Sequence, residues 1–370
     1  MVKSKPKICF VSQNIYPLLK ENSQADFMGG AELQQLLIGK ALAARGYEIS
    51  FITKNHGQPD ATEINSFRVI STFKSNEGLR GVRFIHPRLT RIWQALKKTN
   101  ADIYYVRCAS FILAPVVLYA KLHQKKVVYC GANDVDFDPK RLRLPVHFRD
   151  KTMYYWGLKR CDAVIVQNRV QQELLKKHFK MAGQLIHNGL PKADVSSDGE
   201  NILWVATFKK QKNPQLFLDL AKKFPNEKFI MIGGNVNRSN GREQTISKRA
   251  AKISNLDYKG FLPFKEVEKH FLQAKLFVNT SSYEGFPNTF LQAWRRGVPV
   301  ITFIDPDNLI QTHKLGIVAS DTNDMEEKIT DYLKKPTRFS AKKIKQSFNI
   351  NFTIDKIADQ YEQLFDSIQP

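Results

Sequence analysis

The stretch NTSSYEGFPNTFLQAWRRGVPVI, residues 279–301, decides how the rest of the chain is read. An apolar run leads into Asn279 and small polar residues follow it. A Glu284-Gly285-Phe286-Pro287 turn then breaks the chain, and Asn288 opens a helical pattern that stops before Gly297. A second apolar run starts at Val298. Strand, loop, helix, strand is the unit of a parallel sheet, and such sheets place ligands at the carboxyl ends of their strands. A helix starting there offers unpaired N–H groups and the positive end of its dipole to phosphate. Glu284, just before it, can accept hydrogen bonds from sugar hydroxyls. An ordinary strand–loop–helix with a capping acid fits the same spacing.

The same alternation continues on both sides. Strand-like runs fall at 8–12, 49–53, 103–106, 127–130 and 163–166, with helical patterns at 31–45, 88–98 and 169–179. Later strands are expected at 202–206, 229–232, 256–258, 276–279 and 300–302. Helices there are expected at 214–224, 243–253, 264–273 and 288–296. Two such series predict two doubly wound domains, with the turn-rich PKADVSSDGE (191–200) between them. A length of 370 residues also suits two domains rather than one. The chain ends in an amphipathic stretch, 353–368.

Composition narrows the setting. The formal net charge is +22, of which +15 lies up to Asp198 and +7 beyond it. A basic face attracts nucleic acid, anionic lipid or phosphorylated ligands. No helix-turn-helix, zinc-finger or RRM signature supports a nucleic-acid partner. Cys9, Cys108, Cys130 and Cys161 lie far apart without metal-ligand spacing and read as buried thiols in a reducing compartment. The N-terminal apolar run is too short for a signal peptide, and the run 111–120 is too short for a membrane span. A cytoplasmic protein is expected. The stretch PKRLRLPVHFRDKTMYYWGLKR, 139–160, interleaves seven Lys/Arg with Tyr154, Tyr155 and Trp156. It suits a face on anionic lipid, or equally a helix whose aromatics pack inward.

The block around Glu284 resembles the retaining glycosyltransferases of family 4, which have the GT-B fold. Their pattern is EGFxxxxxE followed by a helix and GxPV. Glu284, Gly285, Phe286, Gly297, Pro299 and Val300 stand at the matching places, while the second acid is Gln292. In the family that acid accepts hydrogen bonds from the donor ribose. A glutamine oxygen can still accept, so restoring the acid with Gln292→Glu is expected to leave donor affinity equal or better. WVATFKKQKNP, 204–214, resembles the family's VGRLxxxKG, whose Arg and Lys hold the donor diphosphate. Lys212 takes the Lys place, Thr207 stands at the Arg place, and Lys209 can supply the missing charge. Gly29-Gly30-Ala31-Glu32 is similar to the family's glycine loop, and no GxGxxG fingerprint marks a dinucleotide dehydrogenase.

The resemblance implies two Rossmann-like, doubly wound parallel-sheet domains facing an interdomain cleft. Residues 1–190 would form the acceptor-side domain, with the last helix, 351–370, crossing back onto it. Residues 191–350 would bind the nucleotide-sugar donor. Glu284 and Lys212 are the expected catalytic residues. Gly29, Gly30, Lys209, Phe286, Pro287, Asn288, Thr289 and Gln292 are expected at the donor. Asn133 and Asp134 are expected on the acceptor side, where family members often carry a His.

The expected activity is hexosyl transfer with retention, from a UDP- or GDP-sugar co-substrate to a glycan or lipid-linked acceptor, in cell-surface polysaccharide synthesis. The protein would work peripherally on the inner face of the plasma membrane, through its basic N-terminal domain. Asp134-Val135-Asp136 and Asp305-Pro306-Asp307 have the form of a metal–diphosphate clamp, but solvated loop acids read the same way. The lysines can serve the leaving group instead, so neither metal nor cofactor is expected. The alternative is a catalytically degenerate GT-B protein that binds a nucleotide-sugar or carbohydrate.

Overall fold

Four apolar residues in a row, Ile8–Val11, form strand β1, and all four are buried. Burial on both faces is the mark of a strand inside a parallel sheet. The structure, a computed structural model, describes residues 5–20, 29–144, 146–234 and 242–369. The chain divides into two compact units. Unit 1 takes the chain from Gly29 to Asn188 together with β1 and the helix Ile354–Ile368, and unit 2 takes Gly189–Thr353.

In unit 1, β1 is followed by β2 (Ile49–Thr53), β3 (Ala61–Ile64) and β4 (Phe67–Ser71). Then come β5 (Ile103–Arg107), β6 (Lys126–Cys130), β7 (Ala163–Val166) and β8 (Gln184–Leu185). The sheet order is β3-β4-β2-β1-β5-β6-β7-β8. All pairings are parallel except β3 with β4. That hairpin turns through Asn65 and Ser66, both with positive φ. Such a two-residue turn matches the twist of paired strands. The edge strand β3 alternates exposed and half-buried residues, as suits the rim of a sheet.

Helices cover both faces of this sheet. Leu96, Val116, Tyr119 and Leu158 belong to the core on one side. Leu36 and Leu42, from the helix Gly30–Ala44, belong to the core on the other, with Ile357, Tyr361 and Phe365. These last three come from the helix Ile354–Ile368, which packs along the helix Gly30–Ala44. The Tyr105 and Tyr361 hydroxyls lie 3.1 Å apart, and Arg45 donates to the Asp355 carbonyl at 2.8 Å and to the Asp359 carboxylate at 2.9 Å. Each large apolar side chain buried this way contributes about 1.5–3 kcal/mol.

The 139–160 stretch contains a helix, His147–Leu158, whose Tyr154 packs inward. Tyr154 is fully buried, with its hydroxyl 3.0 Å from both Tyr129 Oη and the Asp136 carbonyl. Tyr155 and Trp156 pack against the same core. This burial removes the Tyr154 ring from any lipid-facing role, while Tyr155 and Trp156 stay half-buried.

Unit 2 contains β9 (Asn201–Val205), β10 (Phe229–Ile232) and β11 (Leu256–Tyr258), then β12 (Ala274–Asn279), β13 (Val300–Thr302) and β14 (Gly316–Val318). Its order is β11-β10-β9-β12-β13-β14, and every pairing is parallel. The chain runs outward from β9 to β11, then returns to the other side of β9 as β12. Loops leaving β9 and β12 therefore diverge at a topological switch point, where open parallel sheets hold ligands.

Candidate active site

The loop after β9 and the loop after β12 are laced together by buried hydrogen bonds. Trp204, in β9, donates its indole N–H to Thr280 Oγ1 at 2.9 Å. The Thr280 hydroxyl in turn lies 2.7 Å from the Lys212 carbonyl and 3.0 Å from that of Asn213. The Ser282 backbone N–H donates to the Gln211 carbonyl at 2.9 Å. The 3-10 turn Lys210–Lys212 ends at Asn213 in the left-handed region, and Pro214 starts the next helix. A small polar Thr is required at 280, because its hydroxyl both accepts from the indole and donates to a carbonyl.

This lacing brings the two expected catalytic residues into contact. Lys212 Nζ and the Glu284 carboxylate form an ion pair, with the Glu284 side chain only 9% exposed. The ammonium can turn to a phosphate and the carboxylate can accept from sugar hydroxyls, so the pair holds in reserve the charges a nucleotide-sugar requires. Lys209 is exposed on the same loop and makes no ion pair among the described residues. Thr207 is half-buried and carries no charge.

Beyond Glu284, Pro287 caps the helix Asn288–Trp294, and Asn288 and Thr289 sit half-buried in its first turn. Phe286 turns inward instead. Its ring packs on Phe352 at 5.6 Å and Trp294 at 6.5 Å, so any contact it offers a ligand comes from its backbone. Gly297 ends this helical segment with φ +77°, and a Cβ there would meet the Ala341 carbonyl at 2.8 Å. Glycine is needed at 297 for both reasons.

Gln292 is buried and donates through Nε2 to Glu268 Oε1 at 2.8 Å. Glu268 comes from the helix Phe264–Phe271 and also ion-pairs with Arg295 and Arg296. A carboxylate can only accept, so the amide nitrogen must face Glu268 and Oε1 must face away. The negative charge absent at 292 thus stands one residue deeper, at 268. A second carboxylate at 292 would face the first, which reverses the expectation for Gln292→Glu. Sequence reasoning missed Glu268. The one available signal was an acid beside the apolar stripe Phe264, Val267 and Phe271.

The remaining expected residues lie in unit 1. Gly29 caps the helix Gly30–Ala44, and its Cβ position is occupied by the Glu32 carboxylate. Asn133 caps the 3-10 turn Asp134–Phe137, accepting from the Val135 N–H at 3.3 Å. Asp134 is buried and accepts from Asn168 Nδ2 at 3.1 Å and Gln171 Nε2 at 3.2 Å. Both acceptor-side candidates therefore have local structural work. Asp136 beside them is buried and accepts from the Ala132 N–H at 2.8 Å, and burial pushes its carboxyl up to about 6. In unit 2, Asp305 accepts from the Ile310 and Gln311 N–H groups at the start of the helix Leu309–His313. Among the described residues no three His, Cys, Asp or Glu side chains come together in a metal-holding group.

Comparison with known proteins accords with this geometry. Two family profiles match in tandem, Glycosyltransferase Family 4 over residues 28–193 and Glycosyl transferases group 1 over residues 190–348. An uncharacterized glycosyltransferase of Haemophilus influenzae is 23% identical over 314 residues, 81% of this chain and 85% of its own length. The O-antigen biosynthesis glycosyltransferase WclY of Escherichia coli is 24% identical over 229 residues, 61% of this chain and 62% of WclY. A crystal structure of Anabaena HepE in complex with UDP and glucose is similar with a TM-score of 0.74 at 14% identity. That match covers 98% of this chain and 100% of HepE.

Proposed function

This chain belongs to the family 4 glycosyltransferases, with their GT-B fold of two Rossmann-like domains. From that premise we propose that it transfers a hexosyl group, with retention, from a UDP- or GDP-sugar to a glycan or lipid-linked acceptor. The acceptor belongs to cell-surface polysaccharide synthesis at the inner face of the plasma membrane. The observation that carries this reading is the Lys212–Glu284 ion pair at the unit 2 switch point. The UDP and glucose bound by HepE and the O-antigen role of WclY support the donor and pathway class.

In this reading a donor exchanges the ion pair for two new contacts. The Lys212 ammonium moves to the diphosphate, with Lys209 beside it, and the Glu284 carboxylate takes the sugar hydroxyls. As the glycosidic bond breaks, charge grows on the leaving phosphate, and cations already in place stabilise that state more than the ground state. Gln292 Oε1, held by Glu268, accepts from the ribose. Asn288, Thr289 and the backbone of Phe286 and Pro287 complete the donor side within unit 2. The two lysines supply the charge that a divalent metal supplies in other transferases.

The test is a thermal-shift and donor-hydrolysis screen of UDP- and GDP-sugars, with and without EDTA. Stabilisation and slow release of the nucleoside diphosphate in EDTA are expected. Stabilisation that requires Mg²⁺ or Mn²⁺ would refute the metal-free reading. Binding without any turnover would favour a silent carbohydrate-binding protein, a reading that Thr207 alone favours.

A further inference from the structure

Two segments of unit 1 carry large apolar side chains on the surface. Leu79 is 80% exposed, and Val82 and Ile85 project from the same segment. Phe148 is 85% exposed at the start of the helix His147–Leu158, with exposed Val146 beside it. The segments meet where the Arg149 guanidinium stacks 3.5 Å over the Phe84 ring. Exposed apolar side chains scattered singly need no explanation, but five on two adjoining segments do.

Charge surrounds them. Residues 77–91 and 140–151 hold nine Lys or Arg and two acids. Both acids are already engaged, since Glu77 pairs with Arg91 at 3.1 Å and buried Asp150 pairs with Arg149 at 2.8 Å. Arg83 and Arg149 both lie near enough to Arg88 to press its pKa down, behind the larger effect of burial. Arg80, Arg141 and Arg143 are exposed. Folding has thus gathered several guanidiniums on two adjoining segments against their mutual repulsion.

We infer that this face seats the protein on the anionic surface of a phospholipid bilayer. The inference rests on the proposed transfer to a membrane-borne acceptor and names the surface that would serve it. Guanidiniums pair with lipid phosphates in a fork geometry, while Leu79, Val82, Ile85 and Phe148 reach below the headgroups. RNA would also engage the arginines, but it gives aliphatic tips at 79, 82 and 85 nothing to bury against. The membrane contact is carried by Phe148 and the 79–85 segment rather than by Tyr154, which is packed inside.

The experiment is flotation of the full chain with phosphatidylcholine vesicles, with and without phosphatidylglycerol, at rising salt. Three proteins are compared, each also melted with and without UDP or GDP. They are the natural chain, Leu79→Ser/Ile85→Ser/Phe148→Ser, and Arg80→Ser/Arg141→Ser/Arg143→Ser. All substituted side chains are exposed, so both variants should melt like the natural chain. Binding should need the anionic lipid and weaken with salt, and each variant should lose roughly ten-fold or more in vesicle affinity. Equal binding to neutral vesicles, no binding at all, or an apolar variant that binds like the natural chain would each overturn the assignment. So would retention of RNA, and not vesicles, by the natural chain. Vesicle binding without a shift by either UDP or GDP would keep this face and remove the donor reading. A shift by UDP or GDP without vesicle binding would do the reverse.

Discussion

Gln292 donates its amide to Glu268 at 2.8 Å, and this bond inverts what the sequence pattern suggests at position 292. Position 292 carries an amide that donates to a carboxylate, and Arg295 and Arg296 hold that carboxylate's charge behind it. Gln292→Glu is therefore expected to raise donor KM on the order of ten-fold, since two carboxylates sharing a site cannot both ionise freely. One of the two pKa values rises, so the defect should deepen as pH rises through it and recede in acid. The double variant Gln292→Glu/Glu268→Gln restores one acid and one amide and should recover much of the affinity. Steady-state kinetics of the single and double variants decide it, and a double variant no better than the single would count against the pairing.

Lys212→Ala should weaken binding of nucleoside diphosphates by ~1.5–3 kcal/mol while leaving the free nucleoside nearly unaffected. It also strands the Glu284 carboxylate, which is largely buried, so the ligand-free variant should melt earlier. Calorimetry with UDP and uridine, or the guanine pair, separates the two effects. Equal losses for both ligands would point to folding rather than phosphate recognition.

Glu284→Gln keeps shape and removes charge. Because the carboxylate is expected to tighten on the sugar as the bond breaks, kcat should fall on the order of 10²-fold with donor KM little changed. The measurement is turnover with the donor identified by the screen. A variant with normal kcat and a raised KM would reassign Glu284 to ground-state binding.

The buried Asp136 carboxyl makes stability depend on pH. Burial holds its folded pKa at about 6, above the usual carboxylate value of ~3.9. The folded chain therefore binds this proton more tightly than the unfolded chain does. The contribution is full below pH ~4 and is lost as pH rises through about 6. Asp136→Asn cannot ionise and should flatten that part of the profile. Melting temperatures of both proteins between pH 4.5 and 7.5 test this, and parallel curves would rule it out.

Much of the scaffold is legible in the residues, because strands such as Phe10, Phe51 and Val128 sit in runs buried on both faces. The β3–β4 hairpin was not, since Asn65-Ser66 lacks the Asn-Gly or Asp-Gly pair that announces a turn with two positive φ angles. The helix Leu113–Leu122 was hidden by Pro115, which is tolerated because it stands in the first turn, where its missing N–H has no helical partner to lose. The site was legible where chemistry and local spacing coincide, as at Glu284 and Lys212. Glu268 was not, because its relation to Gln292 exists only once two separate helices pack.

The last helix has a consequence for synthesis on the ribosome. Unit 2 is an insertion, leaving and rejoining unit 1 at Asn188 and Ile354, and Leu190 pairs with Thr353 where its ends meet. Every strand of unit 2 has been made before Ile354 emerges, whereas unit 1 still lacks Ile357, Tyr361 and Phe365 from its core. The part translated first is thus completed last. A chain released after Thr353 should show unit 2 resisting protease while unit 1 is still cut, an order opposite to the usual N-to-C sequence of domain folding.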